Sequence, residues 1–154
     1  MARLATESLI TQSVLDRLTN VDDWPATRSQ SLRYFKDALK RDLEWLLNTR
    51  RPPIPELAEY DAAKNSVINY GLPDITSLGL SSASDHRRLR IAIEESIRNF
   101  EPRLADVRVS LDGAETANRR LRFHIEGSMK LDPSPEEISF DTVLELSSGE
   151  YKVK

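Results

Sequence analysis

The hydrophobic period of this chain changes once, at Pro102. Before it, apolar residues recur at helical spacing. After it, they alternate. In the stretch DHRRLRIAIEESIRNFEPRL, Asp85 to Leu104, the residues Leu89, Ile93, Ile97, Phe100 and Leu104 are spaced by four, four, three and four. That spacing puts them on one face of an amphipathic helix. Arg90, Glu94 and Arg98 lie beside the stripe at i, i+4 spacing and can pair along the surface. Pro102 has no N–H to continue the helical ladder. Beyond Leu104 the residues Val107, Val109 and Leu111 alternate with polar ones. A helical half followed by a strand half predicts an α+β fold, with N-terminal helices packed on one face of a three- to four-stranded antiparallel sheet.

The strand half is the more strongly patterned. Leu121, Phe123, Ile125, Met129 and Leu131 take odd positions, while Arg122, His124, Glu126, Ser128 and Lys130 take even ones. Gly127 holds the one odd position without a side chain, which signals a bulge, a bend or a close approach. Asp112-Gly113 reads as a turn, with residues 114–118 as its loop. Asp132-Pro133-Ser134-Pro135 is a stiff turn. Ile138, Phe140, Thr142, Leu144 and Leu146 alternate again, Ser147-Ser148-Gly149 turns the chain, and Tyr151 and Val153 belong to a short last strand. A sheet of this kind has open edges, which invite strand addition from another chain. Lys152 and Lys154 blunt the last strand against indiscriminate pairing.

Upstream, residues 8–18 predict a short helix capped by Ser8, with Ile10, Val14 and Leu18 on one face and Leu15 beside them. So short a helix is marginal alone and has to dock, on its own domain or on a partner. Thr19 to Arg28 reads as a loop. A second helix is predicted from Ser29 or Ser31 to Asn48, with Leu32, Phe35, Leu39, Leu43 and Leu46 on its apolar face. Arg50 and Arg51 complement its C-terminal dipole, and Pro52-Pro53 stops it. Helical turns are expected at Glu56–Tyr60 and Ala62–Tyr70, with Gly71 as a left-handed terminator and Leu72-Pro73-Asp74 as a turn. Ser84 or Asp85 is the expected cap of the long helix. Residues 1–28 thus form a short helix and polar linker, and 29–154 a single α+β domain.

The chain has 154 residues, a formal net charge of −3, no cysteine and two histidines, His86 and His124. There is no thiol for a disulfide or a metal, and no basic excess of the kind that marks nucleic-acid binding. No apolar run approaches the ~20 residues that span a bilayer, and the N-terminus lacks a signal-peptide core, so a cytoplasmic protein without membrane insertion is expected. HExxH, GxSxG and the phosphate-binding Gly-x-x-x-x-Gly-Lys are missing. We expect no catalytic residue, cofactor or metal. The alternative is a peptidoglycan-degrading, lysozyme-like hydrolase built on Glu94, Glu95 and Glu101. Glu94 and Glu101 are two helical turns, about 10 Å, apart, at or beyond the roughly 6.5–9.5 Å of an inverting carboxylate pair. Glu94 also has an arginine four residues to each side, the wrong neighbours for a proton donor.

Four blocks carry a family resemblance: LEWLLNTR (Leu43 to Arg50), SVINYGLPD (Ser66 to Asp74), IEESIRNFEPRL (Ile93 to Leu104) and FDTVLELSSGEY (Phe140 to Tyr151). In that order they resemble the TssE family of type VI secretion baseplate subunits, which is related to the wedge proteins of contractile phage tails. The resemblance implies a non-enzymatic α+β subunit in a wedge with TssF, TssG and TssK. It also implies contact with the first sheath ring of TssB and TssC, with sheet edges that template sheath assembly. The family's EPR motif falls on Glu101, Pro102 and Arg103, and the resemblance associates it with wedge contacts. With Tyr151 and Val153 of the edge strand, these are the expected protein-interaction residues.

Overall fold

The computed structural model describes residues 9–19, 24–55, 59–74, 82–115, 120–145 and 148–154. The chain divides into two compact units, Met1–Arg41 and Asp42–Lys154. In the first, helix α1 spans Val14–Thr19. It starts later than expected because Ser13 is its cap, with the Ser13 hydroxyl accepting from the Asp16 amide at 3.1 Å; Ser8 lies outside the described residues. Asp16 is the buried residue, held by Arg41 at 2.6 Å and by the Ser13 hydroxyl at 2.6 Å. Val14, Leu15 and Leu18 are exposed. A carboxylate that enters with both a cation and a hydroxyl is satisfied inside, and at 3.6 residues per turn its apolar neighbours then point outward. Helix α2, Arg28–Asn48, is capped by Thr27, whose hydroxyl accepts from the Gln30 amide at 3.2 Å. Ser31 is instead buried, donating to the Arg28 carbonyl at 2.8 Å and accepting from the Ile10 amide at 3.1 Å.

In the second unit the last turns of α2 bury Leu43, Leu46 and Leu47. Arg50 caps the helix end by donating from Nη1 to the Leu47 carbonyl at 2.9 Å. The chain leaving α2 is then stitched to residues 70–72: Arg50 and Leu72 form an isolated parallel bridge, the Leu72 amide donates to Thr49 O, and the Arg51 amide donates to Leu72 O, both at 2.9 Å. Gly71 makes this approach possible. Its φ is +101°, and a Cβ there would sit 2.4 Å from the Thr49 carbonyl oxygen. Helix α3 is a single turn, Asp61–Lys64, followed by a 3₁₀ turn at Val67–Asn69; of the expected turn at 56–60, residues 56–58 lie outside the described residues. Helix α4, Ala83–Phe100, is capped by Ser82, two residues before the nearer predicted cap, Ser84. It buries Leu89, Ile93 and Ile97 as its spacing predicts, together with Ser96, which donates to the Gly71 carbonyl at 3.1 Å.

Four strands follow in a meander: β1 Leu104–Glu115, β2 Arg120–Met129, β3 Glu136–Glu145 and β4 Glu150–Val153. Each pairs antiparallel with the next, in the spatial order β1-β2-β3-β4, and α4 packs on β1. Leu121, Phe123, Ile125, Met129, Phe140, Leu144, Tyr151 and Val153 are buried, as the alternation requires. Two details differ from the sequence reading. Asp112-Gly113 does not turn the chain. Leu111 pairs with Phe123 and Gly113 with Arg122, so Asp112 is an extra residue in a continuous strand. Gly127 does not bend β2 either, since β2 pairs without interruption to β3 from Arg120 to Met129. The irregularity lies opposite it, in β1, where Asp106 and Val107 face the single residue Gly127 and Asp106 has φ +52°. Strict alternation would put Leu104 and Val107 on opposite faces; the inserted residue resets the phase and both are buried. A Cβ on Gly127 would lie 3.3 Å from the Ala105 carbonyl, so the glycine leaves room for the bulge.

The core carries two unsatisfied hydroxyls. Thr142 Oγ1 and Tyr151 Oη are buried without a hydrogen-bond partner among the described residues. Gly71→Ala is the sharpest test of the stitch between residues 49–51 and 70–72. Left-handed strain and the clash with Thr49 O should together cost about 3 kcal/mol, read as a shift in the urea midpoint at unchanged m-value.

Candidate interaction site at the helix exit and the sheet edges

The EPR motif closes on itself. α4 ends at Phe100, Glu101 donates its amide to the Ile97 carbonyl at 2.8 Å, and Pro102 stops the ladder. The turn that follows brings Arg103 back onto Glu101. Glu101 Oε1 accepts from the Arg103 amide at 3.1 Å and from Nε at 2.7 Å, and Oε2 accepts from Nη2. Nη2 also donates to Asp42 Oδ2, on α2, at 2.7 Å. Glu101 is 4% exposed and Pro102 is exposed. One guanidinium fork thus joins two carboxylates across two elements. The hydrogen bond to Glu101, above all, raises the Arg103 pKa further. Tyr70 packs edge-on against Phe100 with centroids 5.4 Å apart. Its phenol is pushed up by burial first, then by the charges of Asp42 and Glu101. Sequence reasoning found the motif but not Asp42 or Tyr70, since neither stands at a spacing that reveals a partner at Glu101.

The two edges of the sheet are dressed by helix side chains. On β1, the Val109 amide donates to Glu94 Oε1 at 2.9 Å, and the same oxygen accepts from Arg90 at 2.9 Å. On β4, the side-chain amide of Asn48, the last residue of α2, donates to Tyr151 O at 2.9 Å and accepts from Tyr151 N at 2.8 Å. Arg50 donates from Nη2 to the Gly149 carbonyl, and its guanidinium lies 5.7 Å from the centroid of the Tyr151 ring. Burial pushes the Tyr151 phenol well up, against the smaller opposing effect of Arg50. Tyr151 and Val153 themselves point into the core. What they present at the edge is backbone.

Glu94 Oε1 and both carboxylate oxygens of Glu101 accept from N–H donors. Among the described residues no group of three metal-ligating side chains comes together. A groove of about 520 Å³ runs between Pro52, Pro53, Pro55 and Pro73, with Arg51 and Glu95 on its rim. No described helix is long and apolar enough to cross a membrane.

On the outer sheet face His124 bonds Asp141 through Nδ1 at 2.8 Å and lies 3.4 Å from Glu126 through Nε2. The bond to Asp141, above all, raises its pKa above 6.5. A raised value favours the protonated folded form, so this contribution to stability is complete below about pH 6.5 and fades as pH climbs through the folded-state value. The His124 titration followed by NMR should move back toward 6.5 in Asp141→Asn. For the EPR cluster, Arg103→Ala leaves Glu101 buried and unpaired and should cost about 3 kcal/mol. Glu101→Ala leaves Arg103 on Asp42 and should cost less, about 2 kcal/mol. The double variant should cost less than the two single changes together, as neighbours in one network do.

No curated protein matches the sequence at a significant level. A family model does, over residues 33–134, and its description is baseplate wedge protein gp25. The matched span begins within α2, takes in α4, the EPR cluster, β1 and β2, and reaches the turn before β3. Two thirds of the chain lie within it, and the chain belongs to the family of the baseplate wedge protein gp25.

Proposed function

We infer that this chain, as a member of the baseplate wedge family, is a structural component of a contractile baseplate in contact with other baseplate components. We propose the finer reading that this chain is the TssE-type subunit of a type VI secretion baseplate. It works in the cytoplasm without catalysis, joining a wedge of TssF, TssG and TssK to the first sheath ring of TssB and TssC and helping to template sheath assembly. The observation that carries the reading is a family domain whose four-stranded sheet ends in a short edge strand, β4. A strand at the end of a sheet is the feature to which another chain adds backbone hydrogen bonds. The fourth TssE-like block, Phe140 to Tyr151, covers most of β3 and the start of β4. We assign the wedge-facing surface to the exposed Pro102 and the partly exposed Arg103 that Glu101 holds in place. The sheath-facing surface is assigned to the backbone of Tyr151 and Val153. Residues 29–154 form the working domain and 1–28 a tether.

Co-expression should recover the chain in a complex with TssF and TssG, and purified wedges that contain it should nucleate TssB–TssC sheaths faster than wedges that lack it. A chain that enters no wedge complex and leaves sheath assembly unchanged is not this subunit. Peptidoglycan turnover by the purified protein, lost in a folded Glu101→Gln variant, would favour the hydrolase instead.

A further inference from the structure

Register decides which backbone groups of β4 look outward. Tyr151 pairs with Leu144 and Val153 with Thr142. The Lys154 amide donates to Asp141 O at 2.8 Å, toward β3. By the alternation of an antiparallel ladder, Tyr151 and Val153 then turn their N–H and C=O groups away from the sheet. At Tyr151 both outward groups are already occupied, and by a single side chain, Asn48. A primary amide carries one acceptor and two donors in one plane. Its two bonds to Tyr151, one accepted and one given, are the pair that a residue of a neighbouring strand would make there. At the next outward carbonyl, Gly149, the Arg50 guanidinium takes the same role. At Val153 no side chain caps the backbone among the described residues.

We propose that Asn48 is a placeholder for an incoming strand. An extended segment of another chain seats first on the open backbone of Val153, then displaces the Asn48 amide from Tyr151 and the Arg50 guanidinium from Gly149. The identity of the donor as sheath protein rests on the function proposed above; the displaceable cap does not. Release needs no change of backbone. Asn48 is exposed, its amide keeps the Glu44 carbonyl as a second acceptor at 2.9 Å, and exposed side chains change rotamer within nanoseconds. The strand meanwhile stays in place, because the Tyr151 and Val153 side chains are anchored in the core. Lys152 projects from the outer face. It favours a donor strand with an acidic residue beside that position.

Hydrogen exchange on the full chain, with purified TssB–TssC sheath protein as the probe, tests the proposal. In free Asn48→Ala the Tyr151 amide should exchange at least ten-fold faster than in the wild type, while amides in the middle of β2 are unchanged. Asn48→Gln, which keeps the polarity but shifts the amide by one methylene, should do the same and guards against a folding defect in the alanine variant. In the wild-type wedge–sheath complex the Tyr151 and Val153 amides should both become protected. Asn48→Ala should shorten the lag of sheath assembly several-fold. Unchanged Tyr151 exchange in both free variants, no protection of Val153 in the complex, or a longer lag at an unaltered melting temperature would each overturn the proposal. If wild-type wedges do not affect sheath assembly at all, the sheath-linking function fails; exchange at Tyr151 in the free variants still decides the cap. Concentration-dependent dimerisation of Asn48→Ala without sheath binding would make the occupant a second copy of this chain and overturn the sheath donor.

Discussion

The path of the chain beyond α4 depends on where Glu101 is held. A carboxylate that is 4% exposed is costly unless its charge is answered nearby. Arg103 answers it from two residues away, which is possible only because Pro102 ends the helix and turns the backbone. The same guanidinium then reaches Asp42, so the end of one helix, the last turns of another and the residue that precedes β1 share a single charged junction. Apolar side chains of equal volume can fill such a space with similar stability. They have no direction, whereas a planar fork fixes the angle between its partners. The Lys130 amide, just past the end of β2, donates to the Arg103 carbonyl at 2.9 Å and extends that constraint to the second strand.

The sheet's two edges are managed in different ways. On β1 a charged carboxylate answers an amide, an interaction that a competing strand replaces poorly because it also has to strip Glu94 of Arg90. On β4 the cap is a neutral amide with the same bonding pattern as a backbone. At Val109 one edge is answered by a charge, and at Tyr151 the other is covered by a neutral amide. Glu94 and Asn48 sit on helices and Arg50 just past the end of α2, so the helical half of the fold bears on what the sheet can join.

Much of the architecture was legible because it rests on period. The apolar stripe of α4 and the odd positions of β2 are long, uninterrupted patterns, and burial follows them residue by residue. What period does not encode was missed. The extra residues of β1, at Asp106 and Asp112, are set by tertiary pairing, and Asp112-Gly113 has the composition of a turn while lying inside a strand. The burial of Asp16 on α1 was not foreseen, because hydrophobic spacing takes no account of a carboxylate that brings its own cation. In the candidate site, the EPR tripeptide announced itself through an odd combination of residues. Its partners Asp42 and Tyr70 lie some sixty and thirty positions upstream in ordinary surroundings. Asn48 read as no more than the end of a helix, since only register across β3 and β4 gives its amide a meaning.

The Tyr151 phenol belongs to β4, the last strand. Its ring is fully buried, yet its hydroxyl has no partner among the described residues, and a buried unpaired hydroxyl costs about 1–3 kcal/mol. Thr142 Oγ1, on the strand to which β4 pairs, is in the same position. The final strand is therefore held less firmly than its burial suggests. With only four residues, β4 belongs to the part of the molecule expected to open before the rest unfolds. Thermal opening would begin at this end of the sheet, and the Tyr151 and Val153 side chains, anchored in the core, are what hold the strand against it.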